Sequence, residues 1–319
     1  MACGSEPVAS SRDDDFVGSA NPHPRAPPMS GLIRNPADRR QVAMAVAGPF
    51  VLLGPFLVST NVFVEIGLWL VVWTILCRHN YILHNHVHCP FTRSKLLNRT
   101  LGTLLGFCTG MTVGNWKITH VHGHHVAHKL NGLPGRTYID RLHIDETQPF
   151  SVRAGLWHAL ATAPIQWAAP IGTMVGGSFG KSTARRKFYR YHLAEFVLIY
   201  GIVAGLFLLN PLKALFYFGL IYYLVFIISR YIDYLTHAGG HDSSGYSIAN
   251  VCLHPTYNKH FWNFGFHVAH HLRPTAHWTT LPTIHAALKV NADPTPTAVR
   301  PNVLGMFSPA AFRWHRVTT

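Results

Sequence analysis

Histidines at metal-binding spacings dominate the chain. They fall as His84-Asn-His-Val-His88, His120-Val-His-Gly-His124-His125 and His267-Val-Ala-His270-His271, with a further pair, His237 and His241, between the last two sets. Two histidines four positions apart lie on one face of a helix and can grip one ion together. His84 and His88 obey that rule, as do His120 with His124 and His267 with His271. His125 and His270 stand beside them. That makes eight imidazoles, and His237 is a ninth. The whole chain holds 23 histidines in 319 residues, so three such sets exceed a chance scatter. Zinc is usually satisfied by four ligands. The set is therefore read as serving two ions, with four or five nitrogens each. Nitrogen donors without cysteine suit iron, zinc, copper or nickel. Asp233, one turn before His237, and Asp242 are the carboxylates expected to hydrogen-bond the outer ring nitrogens. His241 is a further candidate ligand, although Gly239-Gly240 interrupts its helix. His86, His122, His128 and His277 are expected behind the ligands or at the surface.

The elements that must position these residues are apolar. Charged residues make up 13% of the chain and hydrophobic ones 48%, against about a quarter charged in soluble domains. From Gln41 to Thr60 there is no charge, and from Val62 to Tyr81 only Glu65 and Arg78. A bilayer core takes roughly 20 apolar residues as a helix. Spans are therefore expected at about 41–60 and 62–81, turning at Asn61, and at about 191–209 and 212–228, turning at Asn210-Pro211. Leu101–Val113 and Leu156–Val175 are expected as interfacial or re-entrant helices, the second because of Pro164 and Pro170. The expected fold is an all-α integral membrane protein. Four transmembrane helices form two hairpins under a cytosolic histidine-rich cap with interfacial helices.

Basic residues set the orientation. Arg34, Arg39 and Arg40 precede the first span, and Arg78, Arg93, Lys95 and Arg99 follow the second. Lys181, Arg185, Arg186, Lys187 and Arg190 precede the third, and Arg230 closes the fourth. By the positive-inside rule both termini and every histidine set are expected in the cytoplasm. The net charge of +14 flanks apolar segments, which fits anionic lipid better than nucleic acid. Residues 1–38, rich in Ser, Pro, Gly and Asp, read as a disordered tail with no apolar core for a secretory signal. Residues 39–290 read as the membrane domain and 291–319 as an irregular tail. Trp116, Trp262 and Trp278 read as headgroup anchors. Five scattered cysteines suggest neither disulfides nor a thiolate site.

The three sets, in order, resemble the histidine boxes of the membrane fatty acid desaturase and hydroxylase superfamily. His84-x-x-x-His88 is similar to the first box. Asn115-Trp116 followed by His120-x-x-Gly-His124-His125 is similar to the second, in the spacing of the alkane hydroxylases. Asn263-Phe-Gly-Phe-His267-Val-Ala-His270-His271-Leu-Arg-Pro274 resembles the third box of acyl desaturases. Tyr234-Leu-Thr-His237 resembles the segment that supplies an extra ligand in several members. The resemblance runs from about Gln41 to Val290. It implies two ferrous ions held by the box histidines, O₂ as co-substrate and a fatty acyl chain in a tunnel between the helices. The acyl group would ride on coenzyme A, a carrier protein or a lipid. No His-Pro-Gly-Gly of a fused cytochrome b5 occurs, so an external donor such as ferredoxin or rubredoxin with its reductase is implied.

Desaturation to a C=C bond is the leading expectation. Hydroxylation, terminal alkene or alkyne formation and carotenoid oxidation use the same ligands, and the second box, with three residues between its first histidine and the pair, leaves them open. A zinc-dependent membrane lipid hydrolase is the rival from another class. It would need fewer histidines and a carboxylate or serine at the metal. A metal transporter would put its polar residues in mid-membrane, whereas these histidines lie beyond the span ends.

Overall fold

The structure is a computed structural model that describes residues 31–58, 60–125, 150–238, 249–293, 298–300 and 312–318. The elements below belong to one unit, Ile33–Thr319. Helix α1 is Arg39–Leu57 and α2 is Val62–His88. Helix α3 is Lys95–Thr109, and α4, Val113–Trp116, runs on into a π-helical turn, Lys117–His124. Helix α5 is Val152–Gly177, α6 is Thr183–Leu209 and α7 is Pro211–His237. Short helices α8 (Pro255–His260), α9 (His267–Leu272) and α10 (Leu281–Ala287) complete the helical part.

Among the described residues, four helical stretches are long and apolar enough to cross a membrane: Pro36–Leu57, Val62–His88, Thr183–Leu209 and Pro211–His237. Their outward side chains are apolar. Phe50, Phe63, Leu208 and Leu212 are between 75 and 88% exposed. Such faces are solvated by lipid and not by water. The breaks fall where the sequence puts them. Asn61 Oδ1 accepts from the Val64 amide at 3.0 Å, and Asn210 Oδ1 from that of Lys213 at 3.1 Å, each capping the helix that follows. The apolar runs are the middles of longer helices, and α2 continues past Tyr81 to carry the first histidine set on its last turns.

Inside, α1 packs on α2 and α3, and α5 packs along both α6 and α7. Leu52, Leu76, Phe107, Ile199, Tyr217 and Phe218 share one buried cluster. Proline at 49 removes an amide from α1. His79 of α2, fully buried, donates from Nε2 to the Met44 carbonyl at 2.9 Å beside that break. Gly48 lets the two helices close: a Cβ there would lie 2.5 Å from His79 Nε2 and 2.6 Å from Cys108 Sγ. Far from the histidines along α2, Glu65 accepts from Tyr217 at 2.6 Å and pairs with Lys213 at 2.9 Å. Lys213 also donates to the Pro55 and Val58 carbonyls. Three membrane helices are thereby pinned at one point.

Two stretches take a form that the sequence did not specify. Leu156–Val175 lies within one continuous helix, α5, that runs through both Pro164 and Pro170. The segment 291–319 is not wholly irregular: β1 (Asn291–Ala292) pairs antiparallel with β4 (Val317–Thr318), and β2 (Ala298–Arg300) with β3 (Phe312–Trp314). Trp314 is fully buried there, edge-on to Tyr257 at 5.3 Å. Aromatic burial of that size outweighs the weak turn signals of the sequence.

Replacing Gly48 by Val should cost about 1–3 kcal/mol through overpacking. The control is Gly201→Val, where nothing lies within 4 Å of an added Cβ. Thermal unfolding in detergent should show a lower midpoint for the first variant and none for the second. Equal midpoints would mean that α1 and α2 pack less closely than described.

Candidate metal centre

Four elements converge. The end of α2 brings His84 and His88. The π-helical turn brings His120 and His124, with His125 next. The last residue of α7 is His237, and α9 carries His267, His270 and His271. Side chains lock the backbone behind them. Asn250 Nδ2 donates to the carbonyls of Leu235 and Ala238, fastening the end of α7. Asn258 donates from Nδ2 to the Cys252 carbonyl at 2.8 Å and accepts from the Gly265 amide at 3.0 Å. A Cβ on Gly265 would sit 2.1 Å from the Cys252 oxygen. Trp262 and Asn263 take φ of 48° and 61°. A bulky residue in that left-handed region is strained, and such strain gathers at functional sites. Here it aims Phe264 at His84 and His267, 5.4 and 4.7 Å away between ring centroids.

The imidazoles fall into two sets that could each hold a metal ion. One is His84, His88, His120 and His270; the other is His124, His237, His267 and His271. His125 joins the first set, its Nε2 being 3.1 Å from Nε2 of both His120 and His270. His120 Nε2 also lies 3.0 Å from His84 Nε2. In the second set His271 Nε2 is 3.2 Å from both His124 Nε2 and His267 Nε2.

These contacts test whether a metal fits. A neutral imidazole nitrogen offers one hydrogen or one lone pair. It cannot satisfy two imidazole neighbours at once, as His120 and His271 would have to do. Lone pairs turned toward a shared cation would satisfy all of them. Nitrogens about 2.1 Å from one ion and at right angles to each other stand about 3.0 Å apart, close to what is found. His88 Nε2 is buried with no hydrogen-bond partner, as a ligand atom would be. Burial first, then repulsion from neighbouring imidazoles, holds His120, His270 and His271 well below the ordinary histidine pKa. They are neutral at neutral pH, the form that binds metal. The residues fit two ions.

The structure places His120 and His124 in different candidate sets, not together in one as their spacing led us to expect. The turn that carries them is π-helical. Its wider bonding pattern turns the chain less per residue, so position i+4 falls short of a full turn. The two rings lie parallel, 5.0 Å apart and 18° between planes, with Nε2 atoms serving different neighbours. The third box divides as well, His270 to the first set and His267 and His271 to the second.

Around the ligands, Trp116 meets His84 and His120 edge-on at 5.4 and 4.8 Å. Trp116 and Trp262 are 7 and 5% exposed, so they pack against the site and do not anchor headgroups. Trp278 is half-buried and donates to Asp38 at 2.8 Å. Asp233 Oδ1 lies 3.8 Å from His124 Nδ1, and Asp233 is held by Arg230 at 2.7 Å. His86 bonds the Asn98 carbonyl at 2.8 Å and stands behind the first set. His128, His241 and Asp242 lie outside the described residues. Sequence reasoning missed Asp38, assigned to the tail. It is 2% exposed, and His277 reaches it at 3.0 Å. Asn35-Pro36, a helix-start signature with Asn35 as cap, marks that ordered stretch.

With this geometry in view, a family model described as fatty acid desaturase matches residues 27–301. No curated protein and no solved structure matches the chain significantly.

Because the imidazoles resist protonation, bound metal should survive pH 6.5, near which a free imidazole is half-protonated, and leave only well below it. Metal-to-protein ratios after desalting at stepped pH read this out; release centred at or above about 6.5 would contradict it. Gly265→Ala should displace α9 and lower metal retention at least severalfold under the same assay, whereas full retention would show that the turn tolerates a Cβ.

Proposed function

Because the chain belongs to the fatty acid desaturase family, we propose that it is a membrane-bound, O₂-dependent di-iron oxidoreductase that introduces a C=C bond into a fatty acyl chain. One observation carries the reading. Nine imidazoles from three boxes and the end of α7 gather as two sets beside helices apolar enough to reach into lipid. His84, His88, His120, His125 and His270 would hold one ion, and His124, His237, His267 and His271 the other. Bound there, a pair of irons supplies O₂ activation strong enough to take hydrogen from an unactivated methylene.

The protein's own residues do the rest. The imidazoles hold the ions by neutral lone pairs. Trp116 and Phe264, packed on His84, keep water from the reacting volume. An acyl chain lying between the helices is presented at one methylene pair, and that position is set by geometry and not by a nucleophile. Asp233 orients His124. The four spans form two hairpins, with termini, boxes and cap on the cytoplasmic side. This orientation rests on the basic residues at the span ends. The acyl group arrives on coenzyme A, a carrier protein or a lipid. Electrons come from a ferredoxin- or rubredoxin-like protein attracted to the basic stretch Lys181–Arg190.

Iron-loaded protein in lipid, supplied with ferredoxin, its reductase and acyl substrates of graded length, should yield an O₂-dependent product lighter by two hydrogens in mass spectrometry. A product heavier by one oxygen would make the enzyme a hydroxylase. Absence of any O₂-dependent product over all acyl classes, with one zinc and no iron bound, would turn the reading toward a lipid hydrolase.

A further inference from the structure

Asp38 stands at the end of a polar path that begins at the surface. It precedes α1, and its side chain is 2% exposed. His277 Nε2 lies 3.0 and 3.1 Å from the two carboxylate oxygens, Trp278 Nε1 donates at 2.8 Å, and Gln41 Nε2 donates at 3.3 Å. Gln41 in turn accepts from Asn85 at 3.1 Å, between the two histidines of the first box. The His277 side chain is 19% exposed and so reaches solvent. Its Nδ1 accepts from Asn35 Nδ2 at 3.1 Å, which puts the hydrogen on Nε2, facing Asp38. Thr279 Oγ1, 2.8 Å from Nδ1, can accept a hydrogen bond from that nitrogen once it takes a proton from water.

The carboxylate borders a cavity of about 10 Å³ whose wall includes Asp38, His277 and Trp278 together with His84, His88 and His270 of the first set. That is room for about one water. Asp38, His277 and imidazoles of the first set share the wall of this cavity, so a proton could pass between them through a water there. Asp233, near the second set, is by contrast neutralised by Arg230 at 2.7 Å.

We propose that Asp38 and His277 deliver protons from solvent, through the cavity, to the first metal position. The inference rests on reading the histidine sets as a di-iron centre. The chemistry requires such a supply. Converting a –CH₂–CH₂– unit and O₂ into –CH=CH– and two waters uses the two hydrogens of the chain, two electrons from the one-electron carrier and two protons from solvent. His277 takes a proton from solvent at Nδ1, and the resulting imidazolium gives its Nε2 proton to the carboxylate; exchange of the ring proton with solvent then restores the starting tautomer. Asp38 would pass the proton to a water admitted to the cavity. Asp38 is thus a proton-delivery residue for the first set, and His277 a positioning and supply residue behind it.

The test uses the full chain in lipid nanodiscs, first loaded with cobalt(II) and titrated with azide by visible absorption. A carboxylate in the wall of the cavity beside the first set repels a small anion bound there. Asp38→Asn should therefore keep the wild-type metal content and bind azide about tenfold more tightly. His277→Gln, which leaves the carboxylate, should bind azide within about twofold of wild type. On the iron-loaded protein both variants should form product at least tenfold more slowly and release severalfold more peroxide per electron consumed. Unchanged azide affinity in Asp38→Asn, wild-type coupling in either variant, or loss of metal together with activity would each overturn the proposal. The last result would make Asp38 a structural fastening only. If the wild-type protein bound no cobalt, the metal-centre reading itself would fall, and this inference with it.

Discussion

Crowding of neutral imidazoles in a largely buried volume constrains everything else in this molecule. Ring nitrogens 3.0–3.2 Å apart cannot all be satisfied by one another, because each carries a single hydrogen or a single lone pair. Nor can several of them protonate, since burial and mutual repulsion oppose it. Cations at the two foci would resolve both problems at once, and their binding would then contribute to folding.

The frame is built to tolerate that crowding. Helix α2 continues beyond its apolar stretch so that His84 and His88 stand above it. Asn250 and Asn258 fasten the chain between α7 and α9 to backbone carbonyls. Glu65, Tyr217 and Lys213 pin three helices at a distance from the histidines. The second and third boxes each contribute to both sets. A shift in either element disturbs both foci together, which couples the geometry of the two positions.

The chain therefore reads as two kinds of surface joined end to end. Lipid-facing helices present large exposed apolar side chains. Beyond their ends an aromatic-rich layer, with Tyr81, Phe91, Trp116, Tyr257, Phe261 and Trp314, packs around the histidine-bearing segments. Burial in that layer favours the neutral form of the imidazoles. It also leaves one small cavity wall where a carboxylate, Asp38, comes close to the first set.

Much of this was legible along the chain, because it depends on short-range periodicity. Apolar runs mark spans by length alone. Asn61 and Asn210-Pro211 mark their ends by capping and by the missing proline amide. Four-residue histidine spacing marks ligand-bearing helices, and His237 follows from its place just past the fourth span. What depends on winding or on distant partners was not legible. The split of His120 from His124 comes from a π-helical turn that no spacing rule announces. The burial of Asp38 needs His277 and Trp278, some 240 residues away. The strand pairs after Val290 are held by contacts to Tyr257 and Val251. Sequence alone determined the spans and the residues competent to bind metal, since both are local properties of side-chain type and interval. Tertiary structure alone decided how those residues divide between two foci and which carboxylate shares a cavity with the first, because the folded backbone path brings together groups that local spacing cannot relate.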